Sequence, residues 1–361
     1  MDIIGRNFMR LLQCGAFEIM DDLELMSDFK WKKLIRISQI KGCQGIVFDG
    51  MIRYTKAQKL KISEPLQTLW MGVITQTETE ARQMNNCIVE MYQLMSKKLH
   101  YPVLMRGRDM ALLYDNPLHY SCDHIDWWIP TEEKAREVDA WAMREANILS
   151  NIDKDKLTYT YLDTKVQNNH FVVKLMDKRL NTELQNIVTR EKSYYKPFYV
   201  EINATNIEIM PSSILLLMLV LNLVQHILMD EVIPTHIIDL GMYLRKRGDK
   251  VDYIKIERWL DQLKMQQVAD LAGGLLIKLF HFSKDEIPFM KHYDEKIVGA
   301  MVHHIFSEDK LSVDEDGLNI ARNTRKGINK LMHTASNMKY QPREITSGYL
   351  KKMIQALKVE E

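Results

Sequence analysis

Glycine and proline are scarce in this chain, with 15 glycines and 9 prolines among 361 residues. Both residue types interrupt helices, and glycine averages about 7% in ordinary proteins. The chain also carries 23 methionines, whose flexible side chains fill irregular cores. These counts predict a mostly helical protein and exclude the collagen-like, disordered and disulfide-scaffold classes.

Helical periodicity surrounds one stretch of different character. Apolar residues recur at helical spacing over 3–26, 29–40 and 65–100, and again over most of the chain after Ser212. Between these regions, apolar runs predict strands at 102–107, 125–129, 157–162, 170–176 and 198–202. Helices are predicted at 109–114 and 132–150, a turn at Asn116-Pro117 and a loop at 307–317.

This order of elements predicts an α+β fold, in which helices flank a small mixed β-sheet. We expect an N-terminal helical region over 1–100, an α/β core over 101–205 and a C-terminal helical domain over 206–361.

The charge content gives no sign of a special partner, and the cysteine pattern is typical of a reducing compartment. The 49 basic and 48 acidic residues leave a net charge of +1, so no overall field indicates nucleic acid or an acidic membrane. The four cysteines show no CxxC spacing, and the N-terminus lacks the apolar run of a secretory signal. The most apolar stretch, 214–228, is broken by polar residues and predicts a buried helix, not a membrane span. The sequence therefore favours a soluble, cytoplasmic protein.

The segment 102–130 carries the most informative motif. It reads Leu104-Met105-Arg106-Gly107, then Tyr114-Asp115-Asn116-Pro117, then Cys122-Asp123-His124-Ile125-Asp126. This order resembles the uncharacterised nucleotidyltransferases of the polymerase-β-like superfamily. Members of that family have a strand ending in Leu-Lys-Gly, a short helix, a proline turn, and Gly-Asp-Ile-Asp on the next strand.

Weaker similarities extend over most of the chain. Asp28 to Gly50 resembles the first helices of the family, Gln225-His226 to Asp239 resembles its C-terminal helical element, and Pro342-Arg343-Glu344 resembles a late element. The resemblance implies a nucleotidyltransferase-like core and transfer of a nucleoside monophosphate from an NTP to an unknown acceptor.

In this family two aspartates on one strand hold Mg²⁺ or Mn²⁺, since residues i and i+2 point to the same face. The resemblance implies that Asp126 is catalytic and a metal ligand, together with Asp123 or His124. It also implies that Arg106, Gly107 and Arg108 bind the triphosphate, since glycine admits close approach of a phosphate and arginine pairs with it.

The departures from the family pattern fall on the charged positions. His124 replaces the first aspartate, and an imidazole–carboxylate pair suits a softer metal better than Mg²⁺. Asp123 is three residues from Asp126, so a regular strand would place the two on opposite faces unless a β-bulge intervenes. Tyr120, or with a shift His119, replaces an arginine, and Thr235 replaces another.

The third carboxylate has two candidate positions. If the corresponding strand is 170–175, Val173 occupies the position and the acid is lost. If the strand includes Val200 to Asn203, Glu201 supplies it.

Two hypotheses follow from the sequence. The first is a metal-dependent nucleotidyltransferase, and the second is a catalytically inactive protein of the same fold that binds nucleotides or other proteins. Four altered charged positions favour the second, because phosphoryl chemistry depends on electrostatic positioning.

Overall fold

A computed structural model describes residues 2–150, 155–194, 196–228 and 233–305. The predicted loop at 307–317 and the Pro342-Arg343-Glu344 element lie outside these ranges. The chain divides into two compact units, Met1–Val172 with Thr189–Leu215 and Val173–Val188 with Leu216–Glu361.

Helices dominate the described residues, as the scarcity of helix breakers predicts. The α-helices are α1 (Ile3–Phe17), α2 (Asp28–Ile40), α3 (Gln44–Lys56), α4 (Glu64–Lys97), α5 (Arg108–Ala111), α6 (Glu132–Glu145), α7 (Lys178–Tyr194), α8 (Ser212–Leu228), α9 (Pro234–Arg247), α10 (Tyr253–Gln262), α11 (Gln266–Phe280) and α12 (Glu295–Ile305). Short 3-10 turns lie at Pro117–His119, Gly248–Lys250 and Lys284–Glu286.

The strands form one mixed sheet, which confirms the predicted α+β class. They are β1 (Val103–Met105), β2 (Ile125–Trp128), β3 (Asn147–Ser150), β4 (Lys156–Tyr161), β5 (Thr164–Asn169), β6 (Phe198–Ile202) and β7 (Thr205–Ile209). Their order across the sheet is β3-β4-β5-β2-β1-β7-β6. Strand β2 lies at the centre, antiparallel to β1 and parallel to β5.

The sheet packs against α4 and α6 through buried apolar side chains. The contributing residues are Met84, Ile88 and Met91 of α4, Val138 and Trp141 of α6, and Leu104, Trp127, Tyr159 and Val166 of the sheet. Burial of this apolar area fixes the central strands, and with them the loops at their ends.

Helices α1 and α3 cross closely enough to require glycine at the crossing. A Cβ at Gly15 would overlap the carbonyl oxygen of Ile46, and one at Gly50 would overlap that of Leu11. Both overlaps are with backbone atoms, which cannot rotate away. Any larger residue at either position would therefore separate the two helices.

Several predicted boundaries agree with the structure, and others are wrong. The strand predicted at 198–202 is β6, and that at 157–162 corresponds to β4. The helix predicted over 3–26 ends at Phe17, where Glu18 adopts a left-handed conformation. The helix predicted over 132–150 ends at Glu145, and residues 147–150 pair with β4 as β3.

The strand predicted at 170–176 is also wrong, because β5 lies earlier, at Thr164–Asn169. This strand is polar, so its sequence lacks the apolar signal of a buried strand. Its buried Asn168 is instead satisfied by hydrogen bonds, accepting from Tyr159 Oη (3.0 Å) and donating to Asp139 Oδ1 (2.9 Å). Residue 173, one candidate position of the third carboxylate, therefore does not lie on a strand.

Described residues of the second unit are helical, apart from turns and loops. Residues 214–221 of α8, which runs from the first unit into the second, are all buried, in agreement with the prediction of a core helix. None of the helices in the described part of the chain is long and apolar enough to span a bilayer.

Candidate functional site

The ends of β1 and β2 bring Arg106 next to Asp126. Met105, the last residue of β1, is paired with Asp126 across the antiparallel ladder. The chain then turns through Arg106 (φ 29°) and Gly107 (φ 95°) before α5 begins. A Cβ at Gly107 would lie 2.8 Å from Cys122 Sγ, so both the backbone angle and the packing require glycine here.

Asp126 is nearly enclosed, with 8% of its side chain exposed, but it has three polar neighbours. His124 Nε2 lies 3.1 Å from its Oδ2, Asn169 Nδ2 donates to its Oδ1 at 2.8 Å, and Arg106 Nη2 lies 3.7 Å from its Oδ2. Burial raises the pKa of Asp126, but the hydrogen bond from His124 and the charge of Arg106 outweigh burial and lower the pKa overall. Asp126 is therefore an ionised, compensated carboxylate.

His124 lies between two carboxylates. Its Nδ1 is 2.6 Å from Asp123 Oδ1, while its Nε2 faces Asp126. Burial lowers the pKa of His124, but the hydrogen bonds to both aspartates more than offset burial and raise the pKa to about 9. The imidazole is therefore protonated at neutral pH and donates from both nitrogens.

Asp123 lies in the bend before β2, with 79% of its side chain exposed. Its hydrogen bond to His124 lowers the pKa of its carboxyl group. The His124 ring stands between Asp123 and Asp126 as the bridging group. The two aspartates thus share a cationic side chain of the protein itself.

Lys165 is a further member of this group that the sequence did not indicate. It lies on β5, and its Nζ is 4.0 Å from Asp123 Oδ2. Asn169 lies on the same strand. The sequence indicated neither residue, because β5 is polar and was not predicted as a strand. Once β5 is placed beside β2, the register Asp126↔Gln167 puts these residues at the site.

We refer to Arg106, Asp123, His124, Asp126 and Lys165 as the His124 cluster. With His124 protonated, three cations face two carboxylates, so the cluster carries a net charge of +1. Such a group attracts a phosphate or another anion in preference to a divalent cation.

The other predicted site residues lie apart from this cluster. Arg108 is 3% exposed and donates from Nε to Asn85 Oδ1 (2.8 Å) and from Nη1 to the Tyr120 carbonyl oxygen (3.1 Å). Glu201 is exposed on β6, with β1 and β7 between β6 and β2. At about 4.8 Å per strand, that separation is roughly 14 Å, too far for Glu201 to share an ion with Asp126.

The residues at the cluster do not fit Mg²⁺ or Mn²⁺. Hard divalent cations prefer several carboxylate and carbonyl oxygens. The buried carboxylate here already faces an imidazolium, an arginine and an amide nitrogen. Within the part of the chain that the structure describes, no three His, Cys, Asp or Glu side chains are grouped so that they could hold a metal ion.

Comparison with known proteins gives one match. Residues 27–281, more than two thirds of the chain, match the family model described as an uncharacterised nucleotidyltransferase. No curated protein and no solved structure matches the chain.

Proposed function

The chain belongs to the uncharacterised nucleotidyltransferase family, and from this premise we propose that it binds the phosphate groups of a nucleotide without transferring them. The ligand class comes from the family, in which an NTP is the substrate. The loss of transfer comes from the residues at the end of β2.

The position of His124 is the main observation that supports this proposal. Nucleotidyl transfer uses divalent metal to neutralise the triphosphate and the attacking oxygen, and carboxylates hold that metal. In this chain a protonated imidazole stands between the two carboxylates, at 2.6 Å and 3.1 Å. A metal ion at Asp126 would have to displace His124 and overcome the charge of Arg106.

The same charges favour a phosphate. Arg106 keeps about a third of its side chain exposed and Lys165 somewhat more, so both have donors that a ligand can reach. We assign the phosphate contacts to Arg106 and Lys165, and the supporting charge to His124.

Calorimetric titration with each of the four NTPs, in EDTA and in Mn²⁺, tests this function. We expect binding of at least one NTP in EDTA, and affinity that Mn²⁺ does not increase. Arg106→Met should weaken binding about tenfold or more, since hydrogen bonds to charged groups contribute about 1.5–3 kcal/mol. Arg136→Met, at an exposed arginine on α6, is the matched control and should bind as the wild type does. Failure to bind any NTP would refute the proposal and leave a protein-interaction module.

A second function is metal-dependent transfer of a nucleoside monophosphate from an NTP to an unknown acceptor. One observation favours it: Asp126 retains an ionised carboxylate where the family has its second aspartate. In that function Asp126, with Asp123 or His124, would hold Mg²⁺ or Mn²⁺.

Pyrophosphate release separates the two functions. We expect none from the wild type with any NTP in Mg²⁺ or Mn²⁺. His124→Asp changes the cluster charge from +1 to −1 and should create Mn²⁺ binding that the wild type lacks. Steady pyrophosphate release by the wild type, abolished in Asp126→Asn, would establish the transferase and overturn the binding proposal.

A further inference from the structure

The region around α2 is strongly basic, although the whole chain is nearly neutral. From Asp28 to Lys61 the chain has nine basic and two acidic residues, a local net charge of +7 in a chain of net charge +1. Four of the nine lie close together in α2: Lys30, Lys32, Lys33 and Arg36. The first unit therefore carries a local positive field that the net charge of the chain conceals.

The buried residues of α2 lie on one side of the helix and leave the basic side in solvent. Those residues are Trp31, Leu34, Ile35, Ile37 and Ser38. Phe29, Lys33, Arg36 and Ile40 follow one another at helical spacing, so they form one stripe on the opposite face, here called the α2 stripe. Phe29 is 69% exposed and Ile40 is 61% exposed. The α2 stripe thus has two cations between two exposed apolar side chains.

The cations of α2 have no countercharge among the described residues. No carboxylate of that part of the chain lies within ion-pair distance of Lys32, Lys33 or Arg36. Asp28 is the one acidic residue of the helix, and it accepts a hydrogen bond from Ser63 Oγ at 2.7 Å. A cationic face of this kind attracts an acidic partner.

The chain segments on either side of α2 and α3 extend this face. Lys61 is exposed and lies two residues before Ser63, whose hydrogen bond to Asp28 holds the segment at the start of α2. Leu25 lies four residues before Phe29 and is 98% exposed. A further cation and a further apolar side chain therefore lie near the Phe29 end of the α2 stripe.

The acidic residues shortly before α2 do not cancel its charge. Two of them are in ion pairs with other cations: Glu24 with Arg6 and Arg10, and Asp22 with Lys59. Asp21 and Asp28 remain, against the four cations of α2 and Lys61. The face keeps a positive charge after these acids are counted.

We propose that this face of α2 binds the surface of an anionic phospholipid bilayer. A helix in a membrane interface presents basic side chains to the lipid headgroups and inserts apolar side chains at the acyl boundary. The α2 stripe has both kinds of side chain along about 16 Å of helix, so a flat surface can contact its whole length. A nucleic acid would pair with the cations but provides no apolar medium for Leu25 and Ile40. This proposal does not depend on the function proposed for the His124 cluster.

Co-sedimentation of the full chain with phospholipid vesicles tests the proposal. One set of vesicles is phosphatidylcholine alone, and the other contains about one-third phosphatidylserine. We expect saturable binding to the phosphatidylserine vesicles, much weaker binding to phosphatidylcholine, and loss of binding near about 0.5 M salt, where charges are screened. Absence of binding to the phosphatidylserine vesicles would overturn the proposal.

A charge variant tests the role of the cations. Lys33→Gln combined with Arg36→Gln should weaken vesicle binding about twentyfold, because each basic residue at a lipid surface contributes about fivefold. Arg136→Gln combined with Arg144→Gln removes two exposed arginines of α6 and is the matched control. Equal weakening in the two double variants would show that only the overall charge matters, and the α2 stripe would not be the binding face.

An apolar variant tests the membrane independently of charge. Phe29→Ser combined with Ile40→Ser should weaken vesicle binding about tenfold, because two apolar side chains no longer enter the bilayer. Met143→Ser, at an exposed methionine of α6, is the control. Circular dichroism verifies that each variant folds, and the charge and apolar variants test the face separately. Unchanged vesicle binding in the folded apolar variant would contradict insertion.

Binding to a single-stranded RNA oligonucleotide identifies the other class of acidic partner. If RNA binds in a manner that depends on Lys33 and Arg36 while the phosphatidylserine vesicles do not bind, the partner is a nucleic acid and the membrane proposal is wrong. We expect vesicle binding that RNA does not match at equal salt.

Discussion

Two histidines close together in the chain, His119 and His124, are each held between two carboxylates, but they join different parts of the molecule. His119 Nδ1 lies 2.7 Å from Asp49 Oδ1, and its Nε2 lies 3.2 Å from Glu78 Oε1. These partners belong to α3 and α4, far away in sequence. The partners of His124 are its own neighbours, Asp123 and Asp126.

The surroundings of the two histidines also differ. Asn116 Nδ2 donates to Asp49 Oδ1 at 2.8 Å, and the Phe48 ring packs edge-on against the His119 ring at 5.8 Å between centroids. A Cβ at Gly45 would overlap the His119 carbonyl oxygen, so α3 also packs tightly against this turn. His119 therefore connects two long helices to the turn before β2, while His124 adjusts the charge at the end of one strand.

This difference shows that a histidine between two acids can have two roles. Where the two acids come from separate helices, loss of the histidine leaves their carboxylates facing one another at a packed contact between the helices. Where the acids are local, its loss changes the charge offered to a ligand. We expect His119 to matter most for stability and His124 to matter most for binding.

His119→Ala should have the largest effect. We expect the free energy of unfolding at pH 6 to fall by about 2–3 kcal/mol, since two hydrogen bonds to carboxylates are lost at a partly buried contact between helices. Urea denaturation measures this change, with His292→Ala, at an exposed histidine, as the control. A loss of less than about 0.5 kcal/mol, typical of a surface substitution, would show that His119 does not join the helices.

His124→Ala should affect ligand binding more than stability. Removal of one positive charge lowers the net charge of the cluster from +1 to 0, and ATP affinity in EDTA should fall about tenfold. Arg106 and Asn169 would still face Asp126, so the free energy of unfolding should fall less than in His119→Ala. Unchanged ATP affinity would remove His124 from the proposed site.

The sequence predicted those structural features around the two histidines that depend on the local pattern of residues. The apolar runs at 102–107 and 125–129 gave β1 and β2, and the spacing of His124 and Asp126 placed them on one face, where they are in contact. The α+β class followed from the same runs. Each of these features is determined by residues close together in the chain.

The remaining contacts depend on tertiary structure. The partners of His119 are separated from it by many elements, and nothing in the local sequence around Asp49 or Glu78 marks them. Lys165 and Asn169 lie on a polar strand that hydrogen bonds stabilise in place of apolar burial. Family resemblance directed attention to Glu201, and only the strand order separated it from β2.

The pH dependence of stability should separate the two histidines further. The pKa of His124 is raised from 6.5 to about 9, so its stabilising contribution is complete below pH 6.5 and is lost as pH rises to about 9. Burial lowers the pKa of His119, but Asp49 and Glu78 raise it overall, so its contribution also decreases with rising pH.

Urea denaturation from pH 6 to pH 9.5 measures both contributions. We expect His124→Gln to flatten the stability profile at the alkaline end, up to about pH 9. ATP binding to the wild type should decline over the same interval, whereas His119→Gln should leave the alkaline decline of binding unchanged. Wild-type binding that is constant up to pH 9.5 would contradict the charge assigned to His124.

Lys165→Met should have the smallest effect, and it tests whether the cluster extends to β5. Lys165 is two-fifths exposed and 4.0 Å from Asp123, so water and salt screen its charge. ATP affinity should fall about twofold to threefold at low salt, and the difference should disappear near 0.5 M salt, where screening lengths are short. Lys56→Met, at an exposed lysine of α3, is the control. A ligand bound at the cluster responds more strongly to a cation beside Asp123 than to one on α3. An equal loss of ATP affinity in the two variants would therefore show that Lys165 contributes only to the general charge of the surface.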